Sequence, residues 1–150
     1  AKVGNTKIRW SEPLFTLRDM IVGREDLSGK KVEDLFGSTI GATLYYRYLS
    51  LEKYFAEKKL IREDANTEEN NFSKLEAKRL PYIIVPEIPL FYYLKGNKKS
   101  SISPKGIVIE ETPIRCWIRD GVNISTEELN KAINEMKKSG EIDRIFKKYR

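Results

Sequence analysis

The chain has 150 residues, enough for one domain or two small lobes, and 40% of them are apolar. This fraction supports a buried core, while no run approaches the ~20 apolar residues of a membrane-spanning helix. Histidine is absent, which excludes Ser-His-Asp and Cys-His catalysis and His-based zinc sites. The net charge of +6 allows an anionic partner, but the basic residues are dispersed, as on an ordinary solvated face.

The first elements alternate between short apolar runs and polar breaks. An element over residues 7–10 is expected to end before Pro13, because proline interrupts regular structure. A strand is centred on residues 20–22, and a short helical turn covers residues 32–35. Residues 38–43, which read STIGAT, are predicted to form a further strand bounded by glycine and by a cluster of tyrosines.

A helix is predicted next, because Leu51, Tyr54 and Phe55 recur at helical spacing. A short strand is expected over residues 60–64. The segment NTEE predicts a capping box with Asn66 as the N-cap residue. Its helix would carry Phe72 and Leu75 on one face, end near Leu80 and be stopped by Pro81.

The apolar run YIIV, residues 82–85, is typical of a strand that is buried on both faces. Pro89 is then expected to begin a helix, and residues 97–105 to form a polar surface loop. Two further strands are predicted, GIVIEE and TPIRCWIRD, with an interruption at Pro113. The single cysteine, Cys116, cannot form an internal disulfide and is expected to be a small buried hydrophobic residue.

The segment STEE predicts a second capping box at Ser125, and its helix is expected to end at Gly140. A last helix would place Ile142, Ile145 and Phe146 on one side. Strands and helices therefore alternate before two terminal helices. This order predicts an α/β fold with a largely parallel sheet flanked by helices.

The familiar motifs of nucleotide-dependent enzymes are missing. Neither GxxxxGK[ST] nor a GxGxxG after a strand occurs. The acidic pairs at residues 63–64 and 68–69 suit a strand end and the first turn of a helix, where acids are favoured by the helix dipole. We therefore predict no enzymatic activity, no cofactor and no metal site.

The tyrosine cluster after residue 43 is the strongest candidate site. Ligands of open α/β sheets lie beyond the carboxyl ends of the strands. There Thr43, Tyr45 and Tyr46 would contact a ligand, and Arg47 would grip a carboxylate. The alternative is that the tyrosines pack and Arg47 is solvated. Glu87, after the strand YIIV, would suit a ligand amine, or is simply a surface glutamate.

Five segments in order resemble the family 3 extracellular solute-binding proteins, the polar amino-acid receptors of bacterial ABC importers. The tyrosine segment is similar to the family's LeDLkGkxiGvxxGYxY, and the last segment to its C-terminal helix pair. No single segment carries the resemblance. The segments are IRWSEPLFTLRDMIV, VEDLFGSTIGATLYYRY, DANTEENNFSKLEAKRLPYIIV, PEIPLFYYL and ISTEELNKAINEMKKSGEIDRIFKKY.

The resemblance implies a type II periplasmic-binding-protein-like fold, with a ligand clamped between two lobes by a hinge motion. Residues 1–16 would be a remnant of lobe one and the first hinge. Residues 17–111 would form the α/β domain of lobe two, and residues 112–150 the second hinge strand and the terminal helices of lobe one. Lobe one would be incomplete, because a family stretch that carries a ligand-gripping arginine has no counterpart. The exposed part would then be open to pairing with another chain.

The resemblance also implies a function and a location. The chain would capture a small polar, amino-acid-like molecule and present it to an ABC permease, in the periplasm or on the outer cell surface. Trp10 and Phe15 would wall the cleft. The family's glycine and aspartate before the YIIV-type strand are replaced here, so an ordinary α-amino acid ligand is not implied.

Two other functions remain open at this point. The same fold serves as a sensory module in signalling or cell-wall proteins. A basic domain that binds nucleic acid through tyrosine and arginine stacking is the remote alternative. We predict no nucleic-acid partner, because the aromatic residues follow sheet topology rather than a basic stripe.

Overall fold

A computed structural model describes residues 2–3 and 6–149. Within this described part, no helix has both the length and the apolar character needed to cross a membrane. The strands are β1 Lys2–Val3, β2 Thr6–Gly23, β3 Thr39–Thr43, β4 Ile61–Ala65, β5 Tyr82–Pro86 and β6 Ile107–Arg119. The helices are a 3-10 turn at Val32–Leu35, α1 Glu52–Ala56, α2 Glu68–Glu76, α3 Glu87–Gly96, α4 Thr126–Lys138 and α5 Glu141–Lys147.

The chain divides into two compact units. One unit is formed by Ala1–Leu17 together with Thr112–Tyr149, and the other by Arg18–Glu111. We call them the terminal unit and the central unit. The assignment of these units to the lobes of a receptor stays a prediction.

The central unit contains a mixed sheet in the order β2-β5-β3-β4. Strands β3 and β4 are parallel, as are β3 and β5, whereas β2 runs antiparallel to β5. The largely parallel sheet that the alternation of elements predicts is therefore present in β3, β4 and β5. As a result, the carboxyl ends of these three strands lie at one edge of the sheet.

Both faces of this sheet are covered. Strand β5 is buried on both sides, as its continuous apolar run predicts, because Ile83 and Ile84 point in opposite directions. One face packs against α2 and α3 through Met20, Val22, Phe72, Leu75, Leu80, Ile83, Val85, Leu90 and Ile102. The other face is covered by Ile21, Leu27, Leu35, Ile40, Ala42, Tyr48, Leu51, Leu60 and Ile84.

Gly41, in the middle of β3, is required by the packing of α2 on the sheet. A Cβ atom at this position would lie 2.7 Å from Leu80 Cδ1 and 2.8 Å from Asn71 Oδ1. Asn71 is fully buried, and its side-chain amide donates a hydrogen bond of 3.0 Å to the carbonyl of Ala42. The absence of a side chain at Gly41 thus lets the helix approach the strand closely.

The two predicted proline breaks are wrong. Strand β2 runs without interruption through Pro13, and β6 is one strand through Pro113. Proline removes only the hydrogen bond of its own nitrogen, and a strand continues where that bond is not needed. The single strand β6 replaces the two strands predicted for this region.

Two predicted helix starts are shifted. The N-cap residue of α2 is Thr67, whose hydroxyl accepts from the N–H of Asn70 at 3.2 Å, and not Asn66. Helix α3 begins at Glu87 after Pro86, so it starts earlier than the predicted Pro89. Pro89 therefore lies within the first turn of the helix, where proline is tolerated.

The terminal unit follows the predicted caps closely. Ser125 and Glu128 form the expected capping box, with N–H to side-chain distances of 3.0 and 2.8 Å. Gly140 has a φ of 71°, the left-handed conformation that favours glycine after a helix. Cys116 is only half-buried, although it alternates along β6 with the exposed Arg115 and Trp117 and shares its side with the buried Ile118, and its N–H donates to Ser11 Oγ at 3.0 Å.

Candidate functional site

The candidate site lies at the carboxyl ends of the parallel strands of the central unit. The register pairs Ile40 with Tyr82 and Gly41 with Ile83, so β3 and β5 end at the same level. Strand β2 is antiparallel and places Asp19 opposite Pro86. We call this region the carboxyl edge and define it as Asp19, residues 43–48, Ala65 and residues 86–87.

The chain leaves β3 in a tight turn. The N–H of Tyr46 donates to the carbonyl of Thr43 at 3.1 Å, and the N–H of Leu44 donates to the carbonyl of Ala65 at 2.9 Å. The N–H of Thr43 donates to the hydroxyl of Tyr48 at 3.3 Å. Thr43 itself is buried, so the part of this residue that the edge presents is its backbone.

The turn separates the tyrosines that the sequence places side by side. Tyr48 is 3% exposed and belongs to the core, whereas Tyr46 is 56% exposed and Tyr45 is 92% exposed. The rings of Tyr46 and Tyr48 stack, with centroids 6.4 Å apart. The cluster is therefore divided. Tyr48 packs in the core, as the alternative interpretation predicts for the tyrosines, whereas Tyr45 and Tyr46 expose aromatic surface to solvent.

Tyr45 has a backbone conformation that is unusual for its residue type. Its φ is 68°, in the left-handed region that costs a residue with a side chain about 1–2 kcal/mol. Strained backbone of this kind is concentrated at ligand clamps and active sites. Lys58 and Lys78 share this conformation, so it marks the turn only together with the exposed ring of Tyr45.

Arg62 holds the turn, and the sequence analysis missed it. Its Nη2 donates to the carbonyls of Thr43 and Tyr46 at 3.1 and 2.9 Å, and its Nε donates to Asp64 Oδ1 at 2.8 Å. The only local signal is that β4, with the sequence IREDA, is unusually charged for a strand.

Asp19 was also missed. It is half-buried, and burial raises the pKa of its carboxyl, with a further increase from the nearby carboxylate of Glu110. Glu110 accepts from the N–H and the hydroxyl of Ser50 at 2.9 and 3.2 Å. Within the described part of the chain, no basic side chain forms an ion pair with Asp19. The edge therefore contains negative charge that is partly removed from water.

The two charged residues predicted to bind ligand have partners. Arg47 is exposed, and its Nη2 lies 3.3 Å from Glu52 Oε2. Glu87 is half-buried, and its Oε2 lies 3.8 Å from Arg18 Nη1. Because alternate residues of β2 point to opposite faces, Arg18 and its partner lie on the other face of the sheet from Asp19.

Trp10 and Phe15 belong to the terminal unit. Trp10 is 46% exposed and lines a shallow groove with Pro113, Ile114 and Arg115. Phe15 is half-buried and packs edge-to-face on Phe146, with ring centroids 4.8 Å apart. Their contact with a ligand stays a prediction, as do the contacts of Thr43, Tyr45, Tyr46, Arg47 and Glu87.

Comparison with known proteins supplies relatives but no family model, since none matches the chain. The chain is 26% identical, over 149 residues and 95% of its length, to the arginine-binding extracellular protein ArtP of Bacillus subtilis (strain 168). It spans only 56% of that relative.

Solved structures give the same picture. An ancestral arginine-binding protein bound to arginine matches with a TM-score of 0.67 and 25% identity, over 95% of this chain and 64% of the other. The second substrate-binding domain of GlnP from Lactococcus lactis, in an open conformation, matches with a TM-score of 0.69 and 20% identity, over 95% and 62%. The predicted resemblance to extracellular amino-acid-binding proteins is thereby confirmed, and the fold is periplasmic-binding-protein-like.

Proposed function

We propose that this chain is the ligand-binding part of a solute receptor that captures an amino-acid-like molecule with a cationic side chain at the carboxyl edge. The receptor would work outside the cytoplasmic membrane and pass its ligand to an ABC permease. No bond is made or broken in this function. The observation that carries the proposal is the half-buried carboxylate of Asp19, which has no cationic partner in the described part of the chain.

The electrostatics of Asp19 favour a cationic ligand. Removal of a carboxylate from water disfavours its charged form, and the neighbouring carboxylate of Glu110 disfavours it further. A guanidinium or ammonium group placed between them would reverse both effects. A charge-assisted hydrogen bond of this type contributes about 1.5–3 kcal/mol.

The aromatic residues supply the second requirement of such a site. Tyr45 and Tyr46 expose ring surface beside the edge, and Tyr46 stacks on the buried Tyr48. Aromatic faces attract cations and also pack against the methylene groups of a long side chain. The edge thus combines flat apolar surface with a partly desolvated carboxylate, which suits a long cationic side chain better than a short neutral one.

The relatives point in the same direction. Two proteins that are about a quarter identical to this chain are named for arginine binding. Each is longer than this chain, so the activity of a whole receptor is part of the proposal. The ligand class is inferred from Asp19 together with these names.

Isothermal titration calorimetry of the chain with L-arginine, L-lysine, L-glutamine and L-glutamate tests the proposal. We expect the two cationic amino acids to bind more tightly than the other two. Asp19→Asn should weaken arginine binding by about 10–100-fold, because it removes the charge and keeps the shape.

Asp26→Asn is the matched control. It makes the same chemical change in the same unit, but Asp26 is engaged by Ser28 and Lys105 at the other end of the sheet. Arginine affinity should stay within about twofold of the original, a difference of about 0.4 kcal/mol. Equal binding of arginine and glutamine, or an unchanged affinity in the Asp19 variant, would contradict the cationic ligand. If no amino acid binds, the receptor function is wrong for this class of solute.

A further inference from the structure

The guanidinium of Arg62 contacts the turn that carries Tyr45 and Tyr46, and a role for it in ligand binding rests on the proposed function. Arg62 lies on β4, the strand beyond β3, and its side chain is 22% exposed. One nitrogen, Nη2, donates to the carbonyls of Thr43 and Tyr46, which are the two ends of the turn after β3. These bonds join the turn to β4. At Tyr46 no described backbone hydrogen bond makes that connection.

The guanidinium is itself held firmly. Asp64 accepts from Nε at 2.8 Å, which fixes the plane of the group. The guanidinium carbon lies 5.6 Å from the ring centroid of Tyr48 and 5.9 Å from that of Phe55. One carboxylate and two aromatic rings therefore support the guanidinium in the orientation in which Nη2 meets the turn.

The turn needs such support. Tyr45 holds a left-handed conformation at a cost of about 1–2 kcal/mol, and its side chain is almost fully exposed. Its own ring therefore supplies no buried contact to offset the strain. The hydrogen bonds to the carbonyls on either side of Tyr45 are the direct means by which the fold keeps the turn in this shape.

We propose that Arg62 is a positioning residue for ligand binding: it fixes the turn that presents Tyr45 and Tyr46 to the ligand. Lysine does not replace it, because an ammonium group lacks the planar fork that serves Asp64 and two carbonyls at once. Loss of these bonds lets the turn relax. Ligand binding must then order Tyr45 and Tyr46 again, and the cost of this ordering lowers the affinity.

The same chain contains a matched control. Arg24 also bridges two backbone carbonyls, since its Nη1 donates to Leu75 at 2.7 Å and to Leu80 at 3.1 Å. Those carbonyls lie at the end of α2 and in the loop before β5, at the opposite end of the sheet. Arg24→Lys therefore removes an equivalent backbone brace and leaves the carboxyl edge untouched.

The test compares Arg62→Lys, Arg62→Gln and Arg24→Lys. We measure the melting temperature, the affinity for L-arginine and the hydrogen exchange of the Tyr46 amide, which donates to Thr43 within the turn. All three variants should melt at a lower temperature. Only the Arg62 variants should bind L-arginine about tenfold more weakly and exchange the Tyr46 amide faster, while the amides of β5 stay protected.

Two outcomes would overturn the proposal. If the Arg62 variants lose thermal stability but keep both arginine affinity and Tyr46 protection, the residue is a structural brace like Arg24. If Arg24→Lys weakens arginine binding equally, the loss reflects general destabilisation. Failure of the proposed function is distinguishable, because L-arginine would then not bind the original chain, whereas the exchange of the Tyr46 amide still reports whether Arg62 holds the turn.

Discussion

The two ends of the central sheet satisfy their polar groups in different ways. At the carboxyl edge, Asp19 is half-buried without a cationic partner among the described residues, and Tyr45 exposes its ring. We call the opposite end, around residues 23–30, 80–82 and 105, the amino edge. There Glu25 accepts from Lys30 at 3.1 Å and from the hydroxyl of Tyr82 at 2.9 Å.

The pKa directions of the carboxyls express this contrast. Hydrogen bonds from Lys30 and Tyr82 lower the pKa of Glu25, and those from Ser28 and Lys105 lower the pKa of Asp26 to about 2. Burial raises the pKa of Asp19. The fold therefore stabilises the charged form of both acids at the amino edge and opposes that of Asp19 at the carboxyl edge, as a site for a cationic ligand requires.

The largest expected effect separates packing from binding. Leu75 is fully buried next to the amino edge, and Leu75→Ala should lower the free energy of unfolding by about 2–5 kcal/mol through the cavity that it leaves. Chemical denaturation measures this loss. The fraction that remains folded should bind arginine with unchanged affinity, because Leu75 is remote from the carboxyl edge.

The counterpart at the carboxyl edge is Tyr46→Ala. More than half of this side chain is exposed, so the free energy of unfolding should change by only about 0.5 kcal/mol. Arginine affinity should fall instead. A Tyr46 variant that is destabilised as strongly as the Leu75 variant, with no change in affinity, would remove the distinction between the two ends.

The next effect concerns backbone strain. Tyr45→Gly should raise the free energy of unfolding by up to about 1 kcal/mol, since glycine adopts a positive φ without strain, although a more flexible unfolded chain offsets part of this gain. Arginine affinity should fall in the same variant because the ring is lost. Denaturation and calorimetry on one sample give both values.

Lys78→Gly is the control for that variant. Lys78 has a φ of 59°, and it follows α2 near the amino edge. The change in stability should be similar, with no effect on affinity. Equal affinity losses in the Tyr45 and Lys78 variants would show that flexibility, and not the tyrosine ring, is responsible.

Local patterns predicted much of this fold. The run YIIV correctly indicated a strand buried on both faces, because an uninterrupted apolar sequence has no side suited to solvent. The Ser125 capping box was equally clear, since its hydrogen bonds join residues three apart. Both signals lie within a single element and do not depend on how elements pair.

The missed residues depend on pairing. Asp19 reaches the carboxyl edge only because β2 pairs antiparallel with β5, and Arg62 reaches the turn only because β4 lies beside β3. The sequence likewise cannot say which tyrosine is buried, because a single left-handed residue turns Tyr45 outwards and Tyr48 into the core. Hydrophobic periodicity in the sequence identifies helices and strands, whereas the residues of this site are brought together by the pairing of the strands.

The smallest expected effect is a difference in pH dependence between the two ends. The folded pKa of Asp26 is about 2, below its unfolded value of 3.8, so its stabilisation is present above pH 3.8 and lost as the pH falls towards 2. Asp26→Asn should therefore reduce stability at neutral pH and have no effect near pH 2.

Asp19 has a raised folded pKa, so its protonated form is favoured, and this contribution is present below pH 3.8 and lost as the pH rises. Asp19→Asn should then leave stability at low pH unchanged and raise it slightly at neutral pH. Denaturation from pH 2 to pH 7 measures both slopes, and a loss of stability at neutral pH in both variants would mean that the carboxyl edge stabilises its charge in the same way as the amino edge.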